Sequence, residues 1–402
     1  MPEFKDGFLN DGSANNKTPI IYTAGYYTDY TGKTHACRWT GTEMEKLAVP
    51  DNAGDSNADA IAVEGGTVYT AGYYYDHNNN RHSCFWMDTL RADLSIPAGF
   101  KESFINAFTV ENWTVYTTGR YSRNMQSFMG NERENHACYW KGTEMENLAE
   151  PNDARSSHAS ALTVINGKVY TAGYFYTTNN QYACFWKGTE RIDLSVPGNC
   201  CYSSAAGITV VDDIVYIAGD YADRNWSGSP CYWKNNERMD LKTPTPGKLM
   251  LPSDIVVKNG IVYTKGFYFI FDDDGLPTEY SCCWVGTEYK NIPVPENAKY
   301  TYIKAFTVSN NTVFTAGNYE NHAGRNRACY WKGTERIELT DSDNTGFSDA
   351  KAIVVVNNTV YTASYCSSLS NQACFWIGDK VTELSVPFGY KGACVYALAV
   401  KV

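Results

Sequence analysis

The chain has 402 residues, 43% of them hydrophobic and 14% aromatic, with a formal net charge of −10. That apolar content opposes disorder, and an acidic chain without Lys/Arg runs lacks the basic face that neutralises phosphates, so nucleic acid is not an expected partner. No apolar run approaches the roughly 20 residues that span a bilayer, so no transmembrane segment is expected.

Residues 1–18 read as a polar N-terminal tail or linker, with Asn10 to Thr18 suited to a tether. Met1 to Pro19 lacks the apolar core of an export signal. Met1-Pro2-Glu3-Phe4 also suits a remnant standing in place of a removed signal, and a secreted or cell-surface protein is expected over a cytoplasmic one.

From residue 19 to residue 402 one unit recurs: Val-Tyr-Thr-Ala-Gly-Tyr-Tyr, a variable gap, then Ala-Cys-Tyr-Trp-Lys-Gly-Thr-Glu and a Leu. The opening aromatics are Tyr22, Tyr69, Tyr116, Tyr170, Tyr216, Tyr263, Phe314 and Tyr361, and they recur every 46 to 54 residues. The tryptophans Trp39, Trp86, Trp140, Trp186, Trp233, Trp284, Trp331 and Trp376 follow in step. Such a period builds solenoids or propellers. Within the second copy, four extended segments run Ala60 to Val63, Thr67 to Tyr74, Ser83 to Met87 and Ala92 to Leu94, without the i, i+3, i+4 pattern of a helix. Asn166-Gly167, Asn259-Gly260 and Gly65-Gly66 supply tight turns between the first two segments.

These features predict an all-β fold: a single eight-bladed β-propeller of four-stranded antiparallel blades over residues 19–402. The N-terminal unit begins on the second segment, Pro19 to Tyr27, while Tyr396 to Val400 matches the first-segment pattern of Asp59 to Val63. Residues 395–402 are therefore expected to complete the first blade and close the ring, which leaves no exposed sheet edge at the seam.

Of 13 cysteines, eight stand two residues before a repeat tryptophan, from Cys37 and Cys84 to Cys374, and share its face of the strand. Equivalent positions in adjacent repeats are too far apart to bridge, so these are expected to be buried free thiols. For Cys200, Cys201, Cys283, Cys366 and Cys394 the spacing leaves disulfide formation open. No CxxC or Cys/His spacing for zinc occurs, and neither a metal nor a cofactor is expected.

The repeat resembles kelch-like propeller repeats, in which a strand ending near Gly precedes a loop and an aromatic strand with Trp. It departs from that pattern where kelch units carry Gly-Gly and this chain has Gly25-Tyr26 or Gly72-Tyr73. The resemblance implies architecture and leaves activity open.

Function is expected where the repeat fails. The loops between second and third segments vary in length while the other turns stay short, and variable loops on a rigid scaffold usually carry binding. Two columns near the channel mouth also vary. The first, at the start of strand one, reads Asp59, Asn106, Ser160, Ala206, Ser253, Lys304, Lys351 and Tyr396; the second, after the repeat Gly, reads Tyr26, Tyr73, Arg120, Tyr174, Asp220, Phe267, Asn318 and Tyr365. From them the candidate ligand-binding residues are Asp59, Asn106, Arg120, Asp220, Lys304, Asn318, Lys351, Tyr396, Tyr26, Tyr73, Tyr174 and Tyr365. Lys304, Lys351 and Arg120 suit an anionic group, and the tyrosines suit stacking on a sugar or peptide. The plainer reading makes the lysines solvated and the tyrosines a lid on the core. Asp272-Asp273-Asp274-Gly275 reads as a solvated turn, and His35, His82 and His136 as repeated positions too far apart to share a metal.

The function expected is non-catalytic binding of a glycan or protein ligand on the variable face and channel mouth. The alternatives are a glycan-active hydrolase or lyase with a channel active site, and a structural scaffold without a small ligand.

Overall fold

The computed structural model describes residues 18–127, 130–225, 227–244, 250–271, 277–293, 296, 298–339, 347–367 and 372–402; residues 1–17 of the tail and the Asp272–Gly275 run lie outside them. Among the described residues there are 32 strands and no helix. In the second blade the strands are Ser56–Glu64, Thr67–Tyr75, Arg81–Met87 and Leu90–Asp93, paired antiparallel in sequence order. This plan recurs in every blade. Six four-stranded sheets stand separate, and the fourth and fifth blades share one eight-stranded sheet through a single parallel contact, Gln181 with Tyr202. The protein is an eight-bladed β-propeller.

The turn chemistry follows the sequence. In the turns between first and second strands both central residues take positive φ, as at Asn166 (53°) with Gly167 (74°) and Asn310 (48°) with Asn311 (57°). Asn and Gly tolerate that region best, and two such residues in a row make the turn that matches strand twist.

Two latches join neighbouring blades. Every repeat tryptophan is 0% exposed. In six of them the indole N–H donates to a backbone carbonyl of the preceding blade, as from Trp86 to Ala48 at 2.7 Å, Trp140 to Ser95 at 2.7 Å and Trp186 to Ala149 at 2.9 Å, while Trp331 Nε1 has no partner among the described residues. At five of the interfaces a serine at the start of the next inner strand also accepts an N–H from the third strand before it, as Ser56 does from Ala36 and Ser348 from Ala328, each at 2.9 Å. The eight thiols beside the tryptophans are buried, and all 13 cysteines are unpaired.

The C-terminal strand Gly392–Lys401 pairs with Ile20–Thr28, from Ile20 opposite Lys401 to Thr28 opposite Gly392. Trp39 of this composite blade donates to Ser385 at 2.7 Å, so the same latch spans the seam. One core cluster packs Ile21, Trp39 and Val395 against Tyr361 and Leu384 of the eighth blade; another packs Tyr22 and Ala397 against Ile61 and Trp86 of the second. The ring is thus closed by the strand that the sequence assigned to it.

Removing residues 395–402 takes away one inner strand and two blade interfaces together. We expect its thermal unfolding midpoint to fall by about 5 °C or more, on the order of what several kcal/mol do to a chain this size; an unchanged midpoint would contradict closure through this strand.

Candidate functional site: the channel mouth

The eight inner strands surround a central channel that encloses two cavities, of about 410 and 670 Å³. Every inner strand slips register by one residue at the same height. The skipped residue lies between Ala58 and Ala60, Ile105 and Ala107, Ala159 and Ala161, Ala205 and Gly207, Pro252 and Asp254, Ile303 and Ala305, Ala350 and Ala352, and, in the C-terminal strand, Val395 and Ala397. The bulged residues are therefore Asp59, Asn106, Ser160, Ala206, Ser253, Lys304, Lys351 and Tyr396. They are the whole first variable column. A bulge leaves its extra residue unpaired and re-aims its side chain, which is why bulges collect beside functional sites.

The bulge also explains the repeat glycine. A Cβ on Gly119 would lie 1.8 Å from the carbonyl oxygen of Phe104, and one on Gly317 would lie 1.7 Å from that of Tyr302. Seven blades need glycine there because the bulged backbone crosses directly over it; the eighth has Ser364 instead. The constant glycine and the variable column are two sides of one device.

On the eighth, first and second blades the candidate residues converge. Tyr26 and Tyr396 have ring centroids 5.8 Å apart, and the Lys351 ammonium lies 3.9 Å from the Tyr396 ring and 5.9 Å from that of Tyr365. Its Nζ also sits 3.3 Å from the Cys394 thiol. The Arg81 guanidinium lies 3.9 Å from the Tyr73 ring and 4.9 Å from that of Phe104, and 3.7 Å from the Asp59 carboxylate. Asn57 donates to Asp59 at 2.7 Å. Asp59 keeps 43% of its side chain open to the channel, yet its recess in the mouth pushes the carboxyl up to about 6 against the pull of Arg81 and Lys351. Burial likewise raises the phenols of Tyr26 and Tyr396 to about 12, so both remain O–H donors at neutral pH.

The remaining candidates are distributed round the ring. Arg120 lies 4.3 Å from the Phe104 ring and donates to Asn135 at 3.2 Å. Tyr174 stacks on His158 at 5.1 Å and meets Tyr176 edge-on at 5.5 Å; burial, aided by Arg120, lowers His158 to about 4 and keeps it neutral. Asn106 donates to the Ala159 carbonyl at 2.7 Å and ties two blades. Lys304 is held by the buried Asp349 of the next blade, while Lys351 lies on tyrosine, so the two lysines have different surroundings. Asn318 and Asp220 are 2% and 3% exposed, and Asn318 Oδ1 and Asp220 Oδ2 have no hydrogen-bond partner among the described residues.

Sequence reading missed Arg81, which precedes the repeat Cys by three residues, and a third variable column that includes Asn57, Phe104, His158, Asp349 and Cys394. Their signal was the same loss of repetition, two residues before the bulge. The histidines His35, His82 and His136, which recur before the repeat cysteine, pin loops: His35 pairs with Asp29 at 2.8 Å, His82 with Asp76 at 3.2 Å and His136 with Glu134 at 3.0 Å. Among the described residues no group of three or more His, Cys, Asp or Glu is placed to hold a metal, and no helix is long and apolar enough to cross a membrane.

No family model and no curated protein matches the sequence. Among solved structures, the chain is similar to a PL25 ulvan lyase bound to a glucuronate–rhamnose sulfate unit, at 11% identity and TM-score 0.47, covering 94% of this chain and 98% of that one. It is similar to the BP39L lectin from Burkholderia pseudomallei at 12% identity and TM-score 0.41, covering 79% and 95%. A puromycin-hydrolysing peptidase of Mycobacterium tuberculosis matches at 10% identity and TM-score 0.43, covering 85% and 57%. At such identities and scores the activities of these proteins do not transfer to this chain.

Burial alone lifts Asp220 to about 7. Between about pH 4 and pH 7 the folded protein keeps this proton and the unfolded chain releases it, so Asp220 costs stability as pH rises. Asp220→Asn is expected to raise the unfolding midpoint at pH 8 and leave it unchanged at pH 4. Equal effects at both pH values would show that Asp220 ionises normally in the fold.

Proposed function

We propose that the protein binds a glycan, without catalysis, at the channel mouth over the eighth, first and second blades. The observation that carries this reading is the meeting of Tyr26, Tyr73, Tyr365 and Tyr396 with the Arg81–Asp59 pair on one rim of the channel. Aromatic faces pack against the C–H faces of a sugar ring, while a fixed guanidinium and carboxylate donate to and accept from its hydroxyls. Small polar ligands are commonly bound by such a pairing of apolar walls with a few convergent polar groups.

Charge favours a neutral glycan over an anionic one. Lys304 is engaged by Asp349, Arg81 by Asp59, and only Lys351 faces the cluster without a carboxylate contact among the described residues. The raised pKa of Asp59, which keeps a proton available to a leaving group, favours a hydrolase as the second reading. Glycoside hydrolysis calls for two carboxyl groups flanking one bond, and the other nearby acid, Asp349, is 4% exposed and already paired. Binding is therefore the better-supported function. A secreted or cell-surface location goes with it, and the free thiols are compatible with that because 11 of the 13 are buried from oxidant.

A glycan array probed with the wild-type protein should give defined binders, and Tyr73→Ala and Tyr396→Ala should each weaken them about tenfold, near 1.4 kcal/mol, with circular dichroism unchanged. Release of reducing ends from a bound glycan would establish the hydrolase instead. Absence of any glycan binding by the wild type would overturn the reading.

A further inference from the structure

Directly after the bulge, seven blades place a small residue, as in Ala60, Ala161 and Gly207, and the position facing it across the register is alanine, as in Ala71 and Ala172, or once Thr118. The small pair suits the packing: Ala71 and Ala172 are 1% and 0% exposed. The sixth blade breaks both positions at once. Asp254 faces Lys265.

Two charged side chains in one register pair, where alanine fills the space in the other blades, cost desolvation unless something repays it. Asp254 lines both channel cavities. Lys265 is half-buried, and its Nζ donates only weakly, to the Lys304 carbonyl at 3.5 Å. Burial pulls its ammonium below the usual lysine range, with Asp254 and Glu279 opposing. Glu279 stands three residues before Cys282, the position that Arg81 holds before Cys84, and burial raises its carboxyl against Lys265 and Lys304. Among the described residues none of Asp254, Lys265 and Glu279 makes an ion pair. Asp254 Oδ1 accepts the Ile255 N–H at 2.9 Å, and its second oxygen, like the carboxylate of Glu279 and the weakly bonded Lys265, makes no ion pair with a described residue along this stretch of channel wall.

We propose that Asp254, Lys265 and Glu279 form a second subsite that takes vicinal hydroxyls of a further sugar residue, so that the ligand is an oligosaccharide lying across the channel mouth. An ammonium donates to a hydroxyl oxygen and a carboxylate accepts from a hydroxyl hydrogen, so a diol satisfies both kinds of group together. The sixth blade is four blades from the second and faces it across the ring. The proposal rests on the glycan reading and adds the length of the ligand and its second contact.

The test is the double variant Asp254→Ala/Lys265→Ala, which restores the small pair of the other blades. On an array of mono-, di- and tetrasaccharides it is expected to lose about tenfold or more in affinity for the tetrasaccharides that wild type binds, and to keep wild-type affinity for the mono- and disaccharides. Its unfolding midpoint should equal or exceed that of wild type. Undiminished tetrasaccharide binding would overturn the subsite and leave the glycan reading standing. A lowered midpoint would make the pair a structural element and also overturn it. A wild type that binds no sugar of any length defeats both readings together.

Discussion

Each repeat tryptophan lies fully buried between blades, and in six of the eight the indole N–H reaches back to a carbonyl of the blade before, across the seam as well as within the chain. The contact combines the largest apolar side chain with a satisfied donor, and truncating such a residue typically costs about 3–5 kcal/mol. Because a buried indole sits at every blade interface, and most of them are latched to the preceding blade, eight weak sheets become one ring. A single blade cannot bury its own apolar faces and relies on its neighbours to cover them. The position of every mouth residue depends on this closure, since inner strands of different blades make up the rim.

Within that frame the bulge is what turns a repeat into a site. An unbroken inner strand would alternate its side chains between its two faces and leave them locked in the blade interfaces. The extra residue breaks the alternation at one height in all eight blades, and the residue it frees varies from Ala206 to Lys304 to Tyr396. In seven blades the glycine beneath gives the bulged backbone its room, with Gly25 meeting the Cys394 carbonyl at 1.9 Å if given a Cβ, while the eighth accommodates Ser364 under the same bulge. A nearly constant residue and a variable one thus meet at a single point of contact in each blade.

The blade count, the strand plan, the free thiols and the closing strand were legible in the sequence because each rests on a local pattern repeated eight times: Trp39 and its equivalents, Asn-Gly turns, and the matching of Tyr396 to Val400 with Asp59 to Val63. The first variable column was legible for the same reason, as the place where repetition fails. What it could not reveal was the bulge, since an unpaired residue in one strand is defined only by its partner strand. The partners of the lysines were equally hidden. Asp349 binds Lys304 from 45 residues further along the chain, and Arg81 joins Asp59 through a fold-dependent approach of third and first strands. Asp254 and Lys265 were visible as departures from Ala and from Tyr-Thr-Ala-Gly, yet only their facing register gives the two departures a common meaning.

The central claim is that a sugar is held on the aromatic rim beside Asp59 and Arg81. A crystal structure of the protein with a glycan selected on the array tests it most directly. The account predicts a sugar ring against the faces of Tyr396, Tyr26 or Tyr73, with hydroxyls on Asp59 and Arg81. A glycan seated instead on the outer loops, or on the face of the tight Asn-Gly turns, would contradict it.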